Sequence, residues 1–247
     1  GRMRNLKLFI EYNGANFSGW QKQNGQRTVQ GELENAFLTL TGEKIDVEGS
    51  GRTDKGVHAL EQVASVKLKH SIPTKNIKYA LNNLLAEDVR IKKVEQVPLD
   101  FHARFSTKRK TYRYVVQVGG ERSAIKHDLL AFYPYKIDEE KIKNVIPLLT
   151  GKHNFKGFCS SKTGVTNFER EIFDIAFSKN GRLCTFEVTG DGFLYNMVRI
   201  IVGTLLDVGS GKLTENDVKK ALESGQRKFA GQTMPACGLY LKKVEYK

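Results

Sequence analysis

Between Arg4 and Val97 the apolar residues switch repeatedly between a period of two and a period near 3.6, and the order of those switches restricts the fold more than any other feature. Arg4 to Tyr12 alternates apolar and polar residues, with Leu6, Leu8 and Ile10 on one side, as in a half-buried strand. Thr28 can cap a helix that puts Val29, Leu33, Phe37 and Leu40 on one face and stops before Gly42. Lys44 to Glu48 and Gln62 to Leu68 read as two strands joined by a glycine-bounded loop from Gly49 to His58. A second helix, Thr74 to Leu85, follows Pro73, and Val89 to Val97 is the closing strand. The order β-α-β-β-α-β is the split βαβ plan of ferredoxin-like and RNA-recognition folds.

The rest of the chain repeats that order with variations. Lys110 to Val118 alternates Tyr112, Tyr114 and Val116 with polar residues, and Asp138 opens a helix ending in Leu149-Thr150-Gly151. Glu171 to Ser178 and Arg182 to Thr189 flank Asn180-Gly181, a strong hairpin signal. An apolar helix from Phe193, a polar helix from Thr214 and a strand from Leu239 to Val244 complete β-α-β-β-α-α-β. The endings Leu40-Thr41-Gly42 and Leu149-Thr150-Gly151 fall at equivalent places. The expectation is an α+β protein of two ferredoxin-like (RRM-like) halves, residues 3–106 and 107–247. Their antiparallel sheets would lie side by side, with a basic cleft between them. Gly1-Arg2, ahead of Met3, reads as a cloning scar and is left out of the fold reading.

Charge narrows the partners. The chain carries 40 Lys and Arg against 27 Asp and Glu, a formal +13, and such a field attracts polyanions such as nucleic acid. The same surplus also keeps many proteins in solution, so charge alone does not decide. Arg104, Lys108, Arg109, Lys110 and Arg113 put cations near the boundary of the halves, where a solvated charge run is an equal reading for any one of them. The longest apolar stretch, Phe193 to Val208, is interrupted by Asn196, Arg199 and Asp207 and is too short to span a membrane. Cys159, Cys184 and Cys237 are odd in number and far apart, which speaks against disulfides or a CxxC metal clip and for a reducing cytoplasm.

Three segments could carry chemistry. Gly51-Arg52-Thr53-Asp54-Lys55-Gly56-Val57-His58-Ala59 lies between predicted strands, and its glycines permit tight turns or close approach to a ligand. It is no dinucleotide fingerprint, because the third glycine position is Asp54 and a strand follows where a helix is required. Asp54 is then either a turn-capping residue or a reactive carboxylate. The second segment runs from Gly190-Asp191-Gly192-Phe193 to Arg199, whose guanidinium sits among apolar residues and needs an anionic partner. Glu187 or Asp207 could supply it locally, and Asp54 is the sharper candidate. In the third, Arg109 to Tyr114, tyrosines interleave with cations, which suits base stacking beside phosphate contacts and equally suits ordinary strand packing.

Together these segments resemble the TruA family of tRNA pseudouridine synthases. The resemblance also covers Gly19-Trp20-Gln21, Thr28-Val29-Gln30-Gly31, Phe101 to Phe105, Phe193 to Gly203 and Gly238-Leu239-Tyr240-Leu241, in the family's order. Met234 departs from it, standing where many relatives have a smaller residue. The resemblance implies two ferredoxin-like halves, a homodimer, no metal or cofactor, and uridines at positions 38–40 of the tRNA anticodon stem-loop as substrates. It also implies that Asp54 is the essential catalytic aspartate, Tyr112 the tyrosine at the uracil, Arg52 the arginine that helps hold the target base out of its helix, and Arg199 the basic partner of the aspartate.

Pseudouridine formation breaks the bond from uracil N1 to the ribose, turns the base and rejoins it through C5. A carboxylate can attack the sugar or the base, or assist removal of a sugar proton, and the sequence leaves these routes open. The competing class is a noncatalytic RNA-binding protein, against which stands the lack of a clear RNP1 octamer on a predicted strand. A zinc-dependent base deaminase would need a CxxC pair and a His-x-Glu motif, and a phosphoryl-transfer enzyme a GxxxxGK[ST] loop; the sequence has none of these.

Overall fold

In the computed structural model the described residues are 2–161 and 164–247, so Gly1 of the expected scar lies outside them. The elements, in chain order, are β1 (Arg4–Tyr12), α1 (Val29–Thr41), β2 (Glu48–Gly49), β3 (His58–Leu68), α2 (Thr74–Leu84), β4 (Val89–Val97) and β5 (Thr107–Val118). There follow β6 (Ala131–Tyr133), α3 (Glu139–Leu149), β7 (Gly151–Asn154), β8 (Glu169–Asn180), β9 (Leu183–Gly190), α4 (Met197–Gly209), α5 (Glu215–Ser224) and β10 (Leu239–Tyr246). They divide into two compact units. One runs to Lys108 and takes in Tyr240–Lys247, and the other is Arg109–Leu239.

In the first unit β1 lies between β4 and β3 and is antiparallel to both. Leu6, Leu8 and Ile10 on β1, Val29, Leu33 and Phe37 on α1, and Ile77 and Leu81 on α2 are each 0% exposed. Their alternate and 3.6-spaced positions make one core, and each such side chain contributes about 1.5–3 kcal/mol of burial. The first helix starts where Thr28 Oγ1 accepts from Gly31 N at 3.2 Å and stops at Gly42, whose φ of 72° closes it in the left-handed region. The expected strand from Lys44 to Glu48 is absent apart from Glu48–Gly49, which pairs with Ser65 and Ala64. The reason is local: Val47 N donates to Glu34 Oε2 (3.0 Å) and Val47 O accepts from Gln30 Nε2 (2.9 Å), so side chains of α1 replace a strand neighbour. Buried Ile45 and Val47 nonetheless produce the alternation of a strand.

The final strand is the second difference. Read from sequence as part of residues 107–247, β10 instead pairs in parallel with β3, Tyr240 opposite His58 and Leu241 opposite Ala59. It is held there by Tyr246, whose hydroxyl donates to Ala103 O at 2.7 Å and whose ring packs on Phe101. Alternation identifies a strand but not its neighbour.

In the second unit β5 is antiparallel to β9, β9 to β8 and β8 to β7, and β6 runs parallel to β5. Asp138 caps α3, and Thr214 with Asp217 forms a capping box on α5. The short strands β6 and β7 carry too few residues to show a period, and neither was expected. Every residue of α4 except Arg199 is buried. This helix starts at Met197, not at Phe193. Asn196 stops its backward extension with φ 60°, and its Nδ2 donates to Ser160 Oγ at 3.0 Å. Among the described residues no helix is long and apolar enough to cross a membrane.

Candidate active site

Residues 50–58 of the first unit form a loop in which the polar side chains of Ser50, Thr53 and His58 are buried and hydrogen-bonded, beside the apolar Val57. Ser50 N donates to Val63 O (2.8 Å) and Ser50 Oγ to Gln62 Oε1 (2.5 Å). Gln62 Nε2 in turn donates to Gly51 O at 3.1 Å. Thr53 Oγ1 shares a 2.7 Å hydrogen bond with Tyr12 OH, and Thr53 O accepts from Trp20 N at 3.1 Å. Val57 N closes the turn onto Asp54 O (3.0 Å), and His58 Nδ1 accepts from Gly14 N (2.8 Å). Ser50, Thr53, His58 and Gln62 are 2%, 6%, 1% and 0% exposed, so these bonds act away from water and fix the backbone.

Two glycines permit the close approach. A Cβ on Gly14 would lie 1.9 Å from Val57 O. At Gly19, where φ is +83°, it would lie 2.6 Å from Thr53 O. Burial pushes the Tyr12 phenol up to about 12, partly offset by its hydrogen bonds to Thr53 and Gln62, so it keeps its proton at neutral pH. The loop thus alternates: Thr53 points into this network, while Arg52 and Asp54 on either side of it are exposed. Within its unit, and among the described residues, the Asp54 carboxylate has no hydrogen-bond or ion-pair partner. An acidic group held on a rigid backbone and left open is available to a ligand.

In the second unit Arg199 is anchored by its own neighbourhood. Its Nε donates to Met234 O at 2.7 Å and its Nη1 to Asn196 Oδ1 at 3.0 Å, while its backbone oxygen accepts from Met234 N. The left-handed turn at Asn196 aims that side chain, and it is the one positive φ outside glycine among the described residues. Both carboxylates weighed as local partners are engaged elsewhere. Glu187 accepts from Arg113 Nε at 2.8 Å, and Asp207 accepts from Tyr133 OH (2.8 Å) and Gln232 Nε2 (3.2 Å). The fork is therefore oriented by neutral acceptors, and neither Glu187 nor Asp207 neutralises it. Tyr112 sits on β5 opposite Val188, half-buried, with its ring edge-on to Phe193 at 5.2 Å.

Of the four residues singled out from sequence, Asp54 and Arg52 share one loop of the first unit, and Tyr112 and Arg199 belong to the second. Sequence reasoning missed the supports: Tyr12, Ser50, Gln62, Asn196 and the Met234 carbonyl. A Gln at a core-facing position of a strand and an Asn before a helix were the available signals.

A family model described as tRNA pseudouridine synthase matches residues 8–106 and 145–247. The tRNA pseudouridine synthase A of Acetivibrio thermocellus is 45% identical over 244 residues, covering 99% of this chain and 100% of that protein. The protein of the same name from Caldicellulosiruptor bescii is 42% identical over 244 residues with the same coverage. That from Bacillus licheniformis is 46% identical over 243 residues, covering 98% of each chain.

Proposed function

The chain belongs to the tRNA pseudouridine synthase family, and on that premise we propose that it isomerises uridine to pseudouridine in the anticodon stem-loop of tRNA, at positions 38–40, with Asp54 as the catalytic carboxylate. The observation that carries the assignment of Asp54 is the contrast within its loop. Its neighbour Thr53 is buried and bonded to Tyr12 and Trp20, while the Asp54 carboxylate is exposed. A network of that quality around a solvent-facing acid supports positioning of the acid and is not needed for a plain turn.

The reaction cleaves the bond between N1 and the ribose C1′, turns the uracil and forms a bond from C1′ to C5. The C5 hydrogen leaves as a proton and N1 gains one, so atoms and electrons balance within the nucleotide and solvent. Nothing is oxidised. What the protein has to supply is a carboxylate at the ribose or base, a cation to keep it ionised and oriented, and a way to hold the base out of its stack. On this reading Arg199 is the cation for Asp54, Tyr112 lies against the target uracil, and Arg52 helps hold the base out of the helix. Arg199 suits its role because Met234 O and Asn196 fix Nε and Nη1 and leave Nη2 to donate. The reading further takes the units as two ferredoxin-like halves that offer tRNA a basic cleft, in a cytoplasmic homodimer without cofactor.

The test is release of tritium to water from unmodified tRNA labelled at uracil C5. Binding without chemistry, deamination at C4 and strand cleavage would leave the label in place. Asp54→Asn is expected to abolish release yet bind tRNA within about tenfold of wild type, roughly 1.4 kcal/mol. Near-normal turnover in that variant would make Asp54 a structural residue and overturn the assignment.

A further inference from the structure

The segment Phe101 to Ser106 of the first unit holds an exposed aromatic ring that no packing within the unit requires. Phe105 is 73% exposed. A mobile loop tip could carry such a ring at little consequence, but this turn is fixed from several sides. His102 N donates to Ser106 Oγ (3.1 Å) and Ser106 N to His102 O (3.0 Å). Ala103, 0% exposed, is pinned by Ser65 Oγ on its N–H (3.0 Å) and by Tyr246 OH on its carbonyl (2.7 Å). His102 Nδ1 accepts from the N–H groups of Arg104 and Phe105 at 3.1 and 3.3 Å, which places the imidazole hydrogen on Nε2. The imidazole then stacks on the Phe105 ring, centroids 4.4 Å apart at 29°.

One side of the ring is therefore covered by a flat heterocycle, and the residue as a whole remains 73% exposed. The Arg104 guanidinium lies over the ring, 5.5 Å from its centroid, and extends the stacking surface with a cation. Arg104 and Lys108 are both exposed. A preorganised aromatic face, extended by a stacked imidazole and flanked by exposed cations, matches one ligand chemistry closely: an unpaired nucleobase with its phosphates.

We propose that Phe105, backed by His102 and flanked by Arg104, is a stacking site for an unpaired base of the RNA substrate, distinct from the target uridine. The site deepens the reading above and rests on tRNA being the substrate. Its cations contact the phosphates beside the stacked base, so it contributes to binding and not to bond breaking.

Two variants test it. Trp20 is the chain's single tryptophan and is 2% exposed, so Phe105→Trp introduces an indole that keeps the stacking surface and reports separately from a buried one. Its emission is expected to be quenched on titration with unmodified tRNA, and its tRNA affinity to stay near wild type. Phe105→Ala is expected to weaken tRNA binding about tenfold and to raise KM for tritium release by the same factor, with kcat within about twofold. Wild-type tritium release checks the enzyme reading independently. If wild type turns over while Phe105→Ala matches it in KM and the indole does not respond, the stacking site is wrong and the function stands. If wild type releases no tritium the function fails, and the indole's response to tRNA alone decides the site. A change in oligomeric state on Phe105→Ala would show that the ring packs against another protein chain, and would overturn the proposal. Melting of both variants at the wild-type temperature confirms that an exposed ring has been changed without loss of fold.

Discussion

Removing one oxygen atom, by Tyr12→Phe, asks whether the buried network under the loop positions Asp54 or merely completes the fold. The Tyr12 hydroxyl is 2.7 Å from Thr53 Oγ1, and the two residues are 3% and 6% exposed. Phenylalanine keeps the ring and its packing against Trp20 and Phe17, so no large cavity opens. The lost hydrogen bond is worth about 1 kcal/mol net, and a Thr53 hydroxyl left dry and unpaired raises the cost to about 1–3 kcal/mol. Gln62 Nε2 keeps its stronger partner, Gly51 O, and adds little. Urea unfolding at pH 7 should show that loss as a shifted midpoint at constant slope.

The same hydroxyl has a signature at high pH. Burial raises the Tyr12 pKa from 10.0 to about 12, so below pH 10 both folded and unfolded chains hold the proton and this group adds no pH dependence. Above pH 10 the unfolded chain ionises first, and stability falls until the folded pKa is passed, by about 2–3 kcal/mol for this one group. Phenylalanine has no proton to lose, so the gap between wild type and variant should narrow between pH 10 and pH 12. Comparing the two proteins subtracts the other buried tyrosines. If Thr53 also holds Asp54 in place, kcat for tritium release falls at least about tenfold, since small displacements of reacting groups are costly. Loss of stability with unchanged kcat would refute the positioning role, and an unchanged midpoint would refute the hydrogen-bond accounting itself.

Three further outcomes follow from the same structure. tRNA binding should weaken steeply with salt, each displaced counterion adding about −0.7 to −0.9 to the slope of log affinity against log salt; a flat profile would separate the basic surface from the tRNA site. Arg199→Lys keeps the charge but loses the fork that spans Met234 O and Asn196, so turnover should drop about 100-fold while stability changes by about 1 kcal/mol, and equal losses in both would make Arg199 a packing residue. Gly19→Ala and Gly42→Ala both place a Cβ at positive φ, +83° and +72°, but only the first meets backbone, Thr53 O at 2.6 Å. The second should therefore cost about 1 kcal/mol with turnover intact, and the first clearly more together with a fall in turnover.

The elements of the fold were legible wherever one face of a segment is buried over several residues. Arg4–Tyr12, Val29–Thr41 and Val89–Val97 start and stop where period, cap and turn residues place them. Failures came where burial and hydrogen bonding part company. Ile45 and Val47 are buried in alternation like strand residues, yet Glu34 and Gln30 take the Val47 backbone groups that a neighbouring strand would have taken. The partner of β10 failed for a related reason. Its alternation marks a buried face, and the pairing with β3 depends on the Tyr246 hydroxyl finding Ala103 O, a contact across more than a hundred residues.

The candidate site divides along the same line. Asp54, Arg52, Tyr112 and Arg199 stand out because their chemistry is unusual for their surroundings: an acid among cations and glycines, or a guanidinium in an apolar helix. Their supports do not stand out, because a buried hydroxyl or amide looks ordinary until its partner is known. Gln62 follows Glu61 on β3 and is 0% exposed; it holds Ser50 Oγ and Gly51 O, both within the loop that ends at His58. Asn196 accepts a left-handed backbone and through its Oδ1 steadies the Arg199 fork. A reactive residue can be read as a local anomaly in composition. The residues that aim it satisfy one another's hydrogen bonds across the fold, so each is unremarkable alone, and only their joint satisfaction away from water makes the loop rigid enough to position an acid.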